Sequence, residues 1–177
     1  RLIARRVRES GVYAEIVSPA RAAERIASPL VRGIILSGGP SSVYEPGAPD
    51  VPDEVLNAPV PILGICYGMQ LLVHRSPGGR VEQGAEREFG RTELELADAA
   101  RLLANWPFRS VVWMSHGDSI VRLPHGMRVV AQTDSAPYAA IEDGGGKRFG
   151  VQFHPEAHAG PMDTECHYFD GLFRRIA

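Results

Sequence analysis

The sequence predicts an α/β fold: a mostly parallel central sheet flanked by helices, with a β-rich second half. Three observations predict it. Short apolar runs alternate with helical stretches from Leu2 to Val73, the rhythm of a sheet wound with crossover helices. Two of those runs, Gly33 to Ser37 and Val60 to Ile65, are continuously apolar, as strands covered on both faces are. Beyond Gly79 nearly every periodic segment reads as strand.

A chain of 177 residues with 44% hydrophobic content is long enough for one sizeable core and too short to suggest two, so residues 1–177 are expected to form one domain. The 19 basic and 21 acidic residues leave a net charge of −2, which gives no electrostatic case for nucleic acid or an acidic surface. Two cysteines, Cys66 and Cys166, make no disulfide framework and suggest a reducing compartment. With no apolar stretch of membrane-spanning length and no signal-peptide pattern, the cytoplasm is the expected location.

Taken in order, Leu2 to Glu9 reads as a helix ended by Ser10-Gly11. Doubly wound domains open on a strand, so a helix at the start suggests a missing first strand, whose loss would expose apolar edges. Val12 to Val17 reads as a strand, Pro19 to Ala27 as a helix and Gly33 to Ser37 as a buried strand. A short helix is expected near Asp53 to Asn57, then the strand Val60 to Ile65 and a helix that Ser76-Pro77-Gly78-Gly79 cuts short. Strands are expected at Gly90 to Leu96, Ser110 to Met114, Met127 to Gln132, Tyr138 to Glu142 and Arg148 to Phe153, with a helical stretch near Ala99 to Trp106.

The chemistry concentrates at the ends of those strands. Cys66 sits at a strand-to-helix turn in Gly64-x-Cys66-x-Gly68, the spacing of a nucleophile elbow, where glycines let the two backbones pass closely. There the thiol faces the positive end of a helix, which favours the anionic form that attacks carbonyl carbon. A buried, inert cysteine is the alternative until a base is found. His154 supplies one: the strand ending V-Q-F runs into His154-Pro155-Glu156, which puts an imidazole at a strand's carboxyl end and a carboxylate two residues on to hold its tautomer. After Ser37, Gly38 and Gly39 can expose backbone N–H groups. That of Gly39, with that of Tyr67, would make an oxyanion hole beside Cys66. The glycine spacing there fits neither a dinucleotide fingerprint nor a P-loop. His74, His125, His158 and His167 read as solvated or core histidines, and the grouping of His154, His158, Cys166 and His167 matches no zinc spacing, so no metal is expected.

With G-I-C-Y-G-M-Q around Cys66 and V-Q-F-H-P-E around His154 and Glu156, the chain resembles the class I glutamine amidotransferases. Within them S-G-G-P-S-S-V-Y-E-P-G-A-P, E-R-E-F-G at Glu86 to Gly90 and V-W-M-S-H-G-D at Val112 to Asp118 resemble the branch that serves GMP synthesis. The resemblance implies a glutaminase with Cys66 as nucleophile, His154 as proton carrier, Glu156 as its orienting group and the N–H groups of Gly39 and Tyr67 as oxyanion donors. It implies that Gln70 and a loop of Ser115, His116, Gly117 and Asp118 grip the ends of L-glutamine. The implied partner is an ATP-pyrophosphatase synthetase domain that aminates xanthosine monophosphate; ATP and Mg2+ belong to that domain, and no cofactor is implied for this one. The chain departs from the family pattern at Ser76-Pro77, where the helix is expected to be shorter or kinked, and in A-H-A-G-P-M-D-T-E after Glu156. Two rivals remain at this stage: a regulatory or binding module that keeps the fold without turnover, and an amidotransferase for another acceptor such as chorismate or a uridine nucleotide.

Overall fold

A computed structural model describes residues 1–98 and 100–157. Seven strands form one sheet: β1 (Ile34–Leu36), β2 (Ile62–Ile65), β3 (Arg80–Leu96), β4 (Arg109–Arg122), β5 (Met127–Gln132), β6 (Ala140–Asp143) and β7 (Arg148–Val151), in the order β1-β2-β7-β6-β5-β3-β4. Among the described residues, four helices accompany it: α1 (Leu2–Glu9), α2 (Pro19–Ile26), α3 (Asp53–Leu56) and α4 (Tyr67–His74).

The parallel part is β1-β2-β7, with Leu36 opposite Gly64 and Ile65 opposite Val151. Every pairing beyond β7 is antiparallel, so the sheet is mixed rather than mostly parallel. Length accounts for part of this: seven residues join β5 to β6 and four join β6 to β7, too few for a crossover helix, and strands joined by short turns pair antiparallel. The longest ladder joins β3 to β4, from Arg80–Arg122 to Glu95–Arg109, with register shifts between Arg80 and Val81 and between Gln83 and Glu88.

Alternation along β2 divides the core. Leu63 and Ile65 point into a cluster with Leu94, Val112, Met114, Phe149, Val151 and Phe153, covered by Val7 of α1. Ile62 points the other way, to Leu36, Val55 and Leu72. Gly64 shares that second face and lets α4 lie against the sheet: a Cβ at Gly64 would come within 2.5 Å of the Gly68 backbone, and one at Gly68 within 2.0 Å of the Leu36 carbonyl oxygen.

Two expected elements are absent. Val12 to Val17 forms no strand. Its backbone groups turn to α1 instead: Val12 N–H donates to the Val7 carbonyl, and the Arg8 guanidinium donates to the Ala14 carbonyl. Residues 100–106 form turns, not a helix, and Ala99 lies outside the described residues. There the Glu142 carboxylate accepts from the N–H groups of Arg101 and Leu102, and Asn105 adopts φ +69° ahead of Pro107. Leu102 and Leu103 are buried all the same, which is why their spacing imitated a helix. The helix after Cys66 does stop early: α4 ends at His74, and Gly79 lies so close to its last turn that a Cβ would meet the Val73 carbonyl oxygen at 2.0 Å.

Candidate active site

The turn between β2 and α4 puts Cys66 at φ +52°, ψ −109°, a conformation that costs an L-residue of order 1–3 kcal/mol. Two backbone bonds hold it there, Cys66 N–H to the Val151 carbonyl at 2.8 Å and Gln70 N–H to the Cys66 carbonyl at 3.1 Å. The buried sulfur lies 3.5 Å from the Ser115 carbonyl oxygen of β4 and 3.6 Å from Gln152 Nε2.

His154 follows β7 by three residues. Its N–H donates to the Trp113 carbonyl at 2.9 Å, which ties the segment to β4, and its Nδ1 lies 3.0 Å from Glu156 Oε1. Its imidazole is pushed up to about 10, first by interaction with the Cys66 side chain and then by the hydrogen bond to Glu156, with burial opposing both. Gly38 leaves room for this arrangement, since a Cβ there would stand 3.1 Å from His154 Cε1 and 3.6 Å from Cys66 Cβ. Glu156 is buried, and its Oε2 has no partner among the described residues.

Gly39 lies against the Tyr67 ring, 3.7 Å from where its Cβ would be. Neither the Gly39 nor the Tyr67 N–H finds an acceptor among the described residues. Tyr67 is fixed from its far end, where the hydroxyl donates to the Pro49 carbonyl; burial, with Asp50 adding to it, pushes the phenol up.

Ser115, His116, Gly117 and Asp118 lie in β4 and not in a loop, because their alternating burial lets both faces of the strand be used. His116 and Asp118 are buried: His116 Nδ1 meets the Asp118 carbonyl at 3.0 Å and Nε2 meets Glu88 Oε2 at 3.1 Å. Asp118 Oδ1 accepts from the Tyr44 hydroxyl at 2.8 Å, joining β4 to the glycine-rich segment after β1. The Asp118 carbonyl also accepts from Gln70 Nε2 at 3.2 Å. Gly117 faces Arg87, whose Cγ would stand 3.4 Å from a Cβ added there.

The fold therefore gathers Cys66, His154 and Glu156, with Gln70, Ser115 and Asp118 beside them. Sequence reasoning missed Gln152, which touches the sulfur, and Glu88 and Tyr44, which fix His116 and Asp118. Gln152 had a visible signal, a polar residue in an apolar run two places before His154. No group of three or more candidate metal ligands occurs among the described residues, while His158, Cys166 and His167 lie outside them. No helix among the described residues is long and apolar enough to cross a membrane.

The model of the class-I glutamine amidotransferase family matches residues 1–173. The chain belongs to that family. It is 49% identical over 155 residues to a protein named GMP synthase [glutamine-hydrolyzing] from Gloeothece citriformis, an alignment covering 88% of this chain and 28% of that protein. The protein of the same name from Enterococcus faecalis is 47% identical over 176 residues, covering 99% of this chain and 32% of that one. The amidotransferase chain thus spans about a third or less of the length of these relatives. Among solved structures, a putative GMP synthase subunit from Thermoplasma acidophilum superposes with a TM-score of 0.79 at 25% identity, covering 99% of this chain and 85% of that chain.

Proposed function

We propose that residues 1–177 form one glutaminase domain that hydrolyses L-glutamine to glutamate and ammonia, in the cytoplasm, without a cofactor of its own. Cys66 Sγ attacks the side-chain carboxamide carbon, and the charge that moves onto oxygen is met by the N–H groups of Gly39 and Tyr67. His154 gives its proton to the nitrogen, which leaves as ammonia, and a glutamyl thioester remains on Cys66. Water then adds to the thioester as His154 takes its proton; collapse expels the sulfur and frees glutamate. Glu156 holds the imidazole by its Nδ1, while Gln70, Ser115, His116, Gly117 and Asp118 receive the substrate's ammonium and carboxylate.

The observation that carries this reading is the strained elbow whose buried sulfur stands beside an imidazole tied to a buried carboxylate. The relatives' names support a part in glutamine-dependent GMP synthesis; the ammonia would then pass to the ATP- and Mg2+-dependent synthetase domain that the sequence resemblance implies, which converts xanthosine monophosphate to GMP.

An electrophilic glutamine analogue, with the adduct mapped by mass spectrometry, tests the site. Labelling confined to Cys66 and slowed about 100-fold or more in His154→Ala is expected. No labelling, or equal labelling of Cys166, overturns the reading. The acceptor is tested by adding a GMP synthase relative's synthetase domain: GMP should form from glutamine, and formation from ammonium salts alone would refute that step.

A further inference from the structure

Gln152 is 2% exposed, one residue past β7, with its backbone N–H bound to the Ala139 carbonyl at 2.8 Å. A glutamine amide at such a site can face either way, and the neighbours decide which. The Asp118 carbonyl can only accept, so the Gln70 group 3.2 Å from it is the NH2. That nitrogen's second hydrogen points to Gln152 at 3.2 Å, so the Gln152 atom facing it is the oxygen. The Gln152 NH2 is then left facing Cys66 Sγ at 3.6 Å. One backbone carbonyl of β4 thereby sets the orientation of two buried amides in series, ending in a donor at the sulfur.

We propose that Gln152 is a positioning residue for Cys66, directing an N–H at the sulfur whenever it carries negative charge, before attack and again as the thioester collapses. The proposal rests on Cys66 being the nucleophile. An N–H to a charged sulfur is worth more than one to a neutral thiol, so it favours the reactive and leaving states over the resting thiol. It also links Gln70, at the substrate end of the site, to the nucleophile.

Two variants of the chain separate the donor from the packing. Gln152→Glu keeps an oxygen for Gln70 but turns a carboxylate oxygen on the sulfur; Gln152→Met keeps the length and removes the N–H. The probe is iodoacetamide, small and neutral, with the adduct at Cys66 followed by mass spectrometry and folding checked by thermal melting. Alkylation is expected to slow about tenfold in Gln152→Met and about 100-fold in Gln152→Glu. The Gln152→Glu deficit relative to wild type should narrow as pH falls through the carboxyl range, because a protonated carboxyl can again donate. With glutamine, Gln152→Glu should lower kcat with KM within about threefold. Wild-type alkylation rates in both folded variants overturn the proposal, as does loss of a cooperative melt in both, which would make the residue structural. Failure of the glutamine analogue to label wild type would instead strike the glutaminase reading, and leaves the iodoacetamide rates as a separate result.

Discussion

The His154 imidazole lies between a sulfur and a carboxylate, and both favour its protonated form against the burial that opposes it. A group raised from 6.5 to about 10 contributes stability that is fully present below pH 6.5 and is lost as pH rises through about 10. The midpoint of an NMR titration of His154 should therefore fall in Cys66→Ala, and by less in Glu156→Gln, since the sulfur is the larger cause. An unchanged midpoint in both would separate His154 from its neighbours. The denaturation midpoint of wild type should likewise drop between pH 6.5 and 10, and drop less in Cys66→Ala. At this scale the grouping of Cys66, His154 and Glu156 was legible because the constraint is local: glycine two residues either side of a cysteine, and a carboxylate two residues after a histidine. Gln152 showed only as a polar residue in an apolar run; its role stayed hidden because its partners come from residues 66 and 70 and no local spacing links them.

Between elements, the decisive contact is that of α4 with β1 and β2. Gly68 admits no side chain, since the Leu36 carbonyl stands 2.0 Å from its would-be Cβ and is backbone that cannot swing aside. Gly68→Ala should cost about 3 kcal/mol or more in urea unfolding, or prevent folding, and should distort the Cys66 turn. A variant as stable as wild type would show that helix and strand can separate. Elements with their own punctuation read correctly from sequence: Pro19 opens α2 and Ser10-Gly11 closes α1. Val12 to Val17 has strand composition, yet strand formation needs a neighbour with free backbone groups, and α1 takes those of Val12 and Ala14. Residues 100–106 fail for a different reason: Asn105 takes φ +69° and Pro107 follows two residues on, so the backbone leaves the helical region before a second turn is complete.

Over the whole molecule, the sheet curls until its far edge returns to its centre. β4 is the last strand in the order, yet its Trp113 carbonyl binds His154 and its Ser115 carbonyl meets Cys66. Met114 lies between them, fully buried on the opposite side of the strand. Met114→Ala should cost about 2–5 kcal/mol and also slow alkylation of Cys66, since Met114 sits in the same buried cluster as Cys66, between the two residues whose carbonyls meet the site. A loss of stability with the rate unchanged would mean the edge does not hold the site. The order of the strands was beyond the sequence because period-2 patterns mark strands without naming their neighbours.

That closure also sets when the proposed chemistry could begin. The elbow lies early in the chain, while the groups around its sulfur come from residues 115, 152 and 154. During synthesis the cysteine emerges long before them, and contacts of such sequence separation form late in folding. On the role proposed for Cys66, the nascent chain carries an unactivated thiol through the crowded stages of its assembly, and the onset of its reactivity would mark a late step of folding.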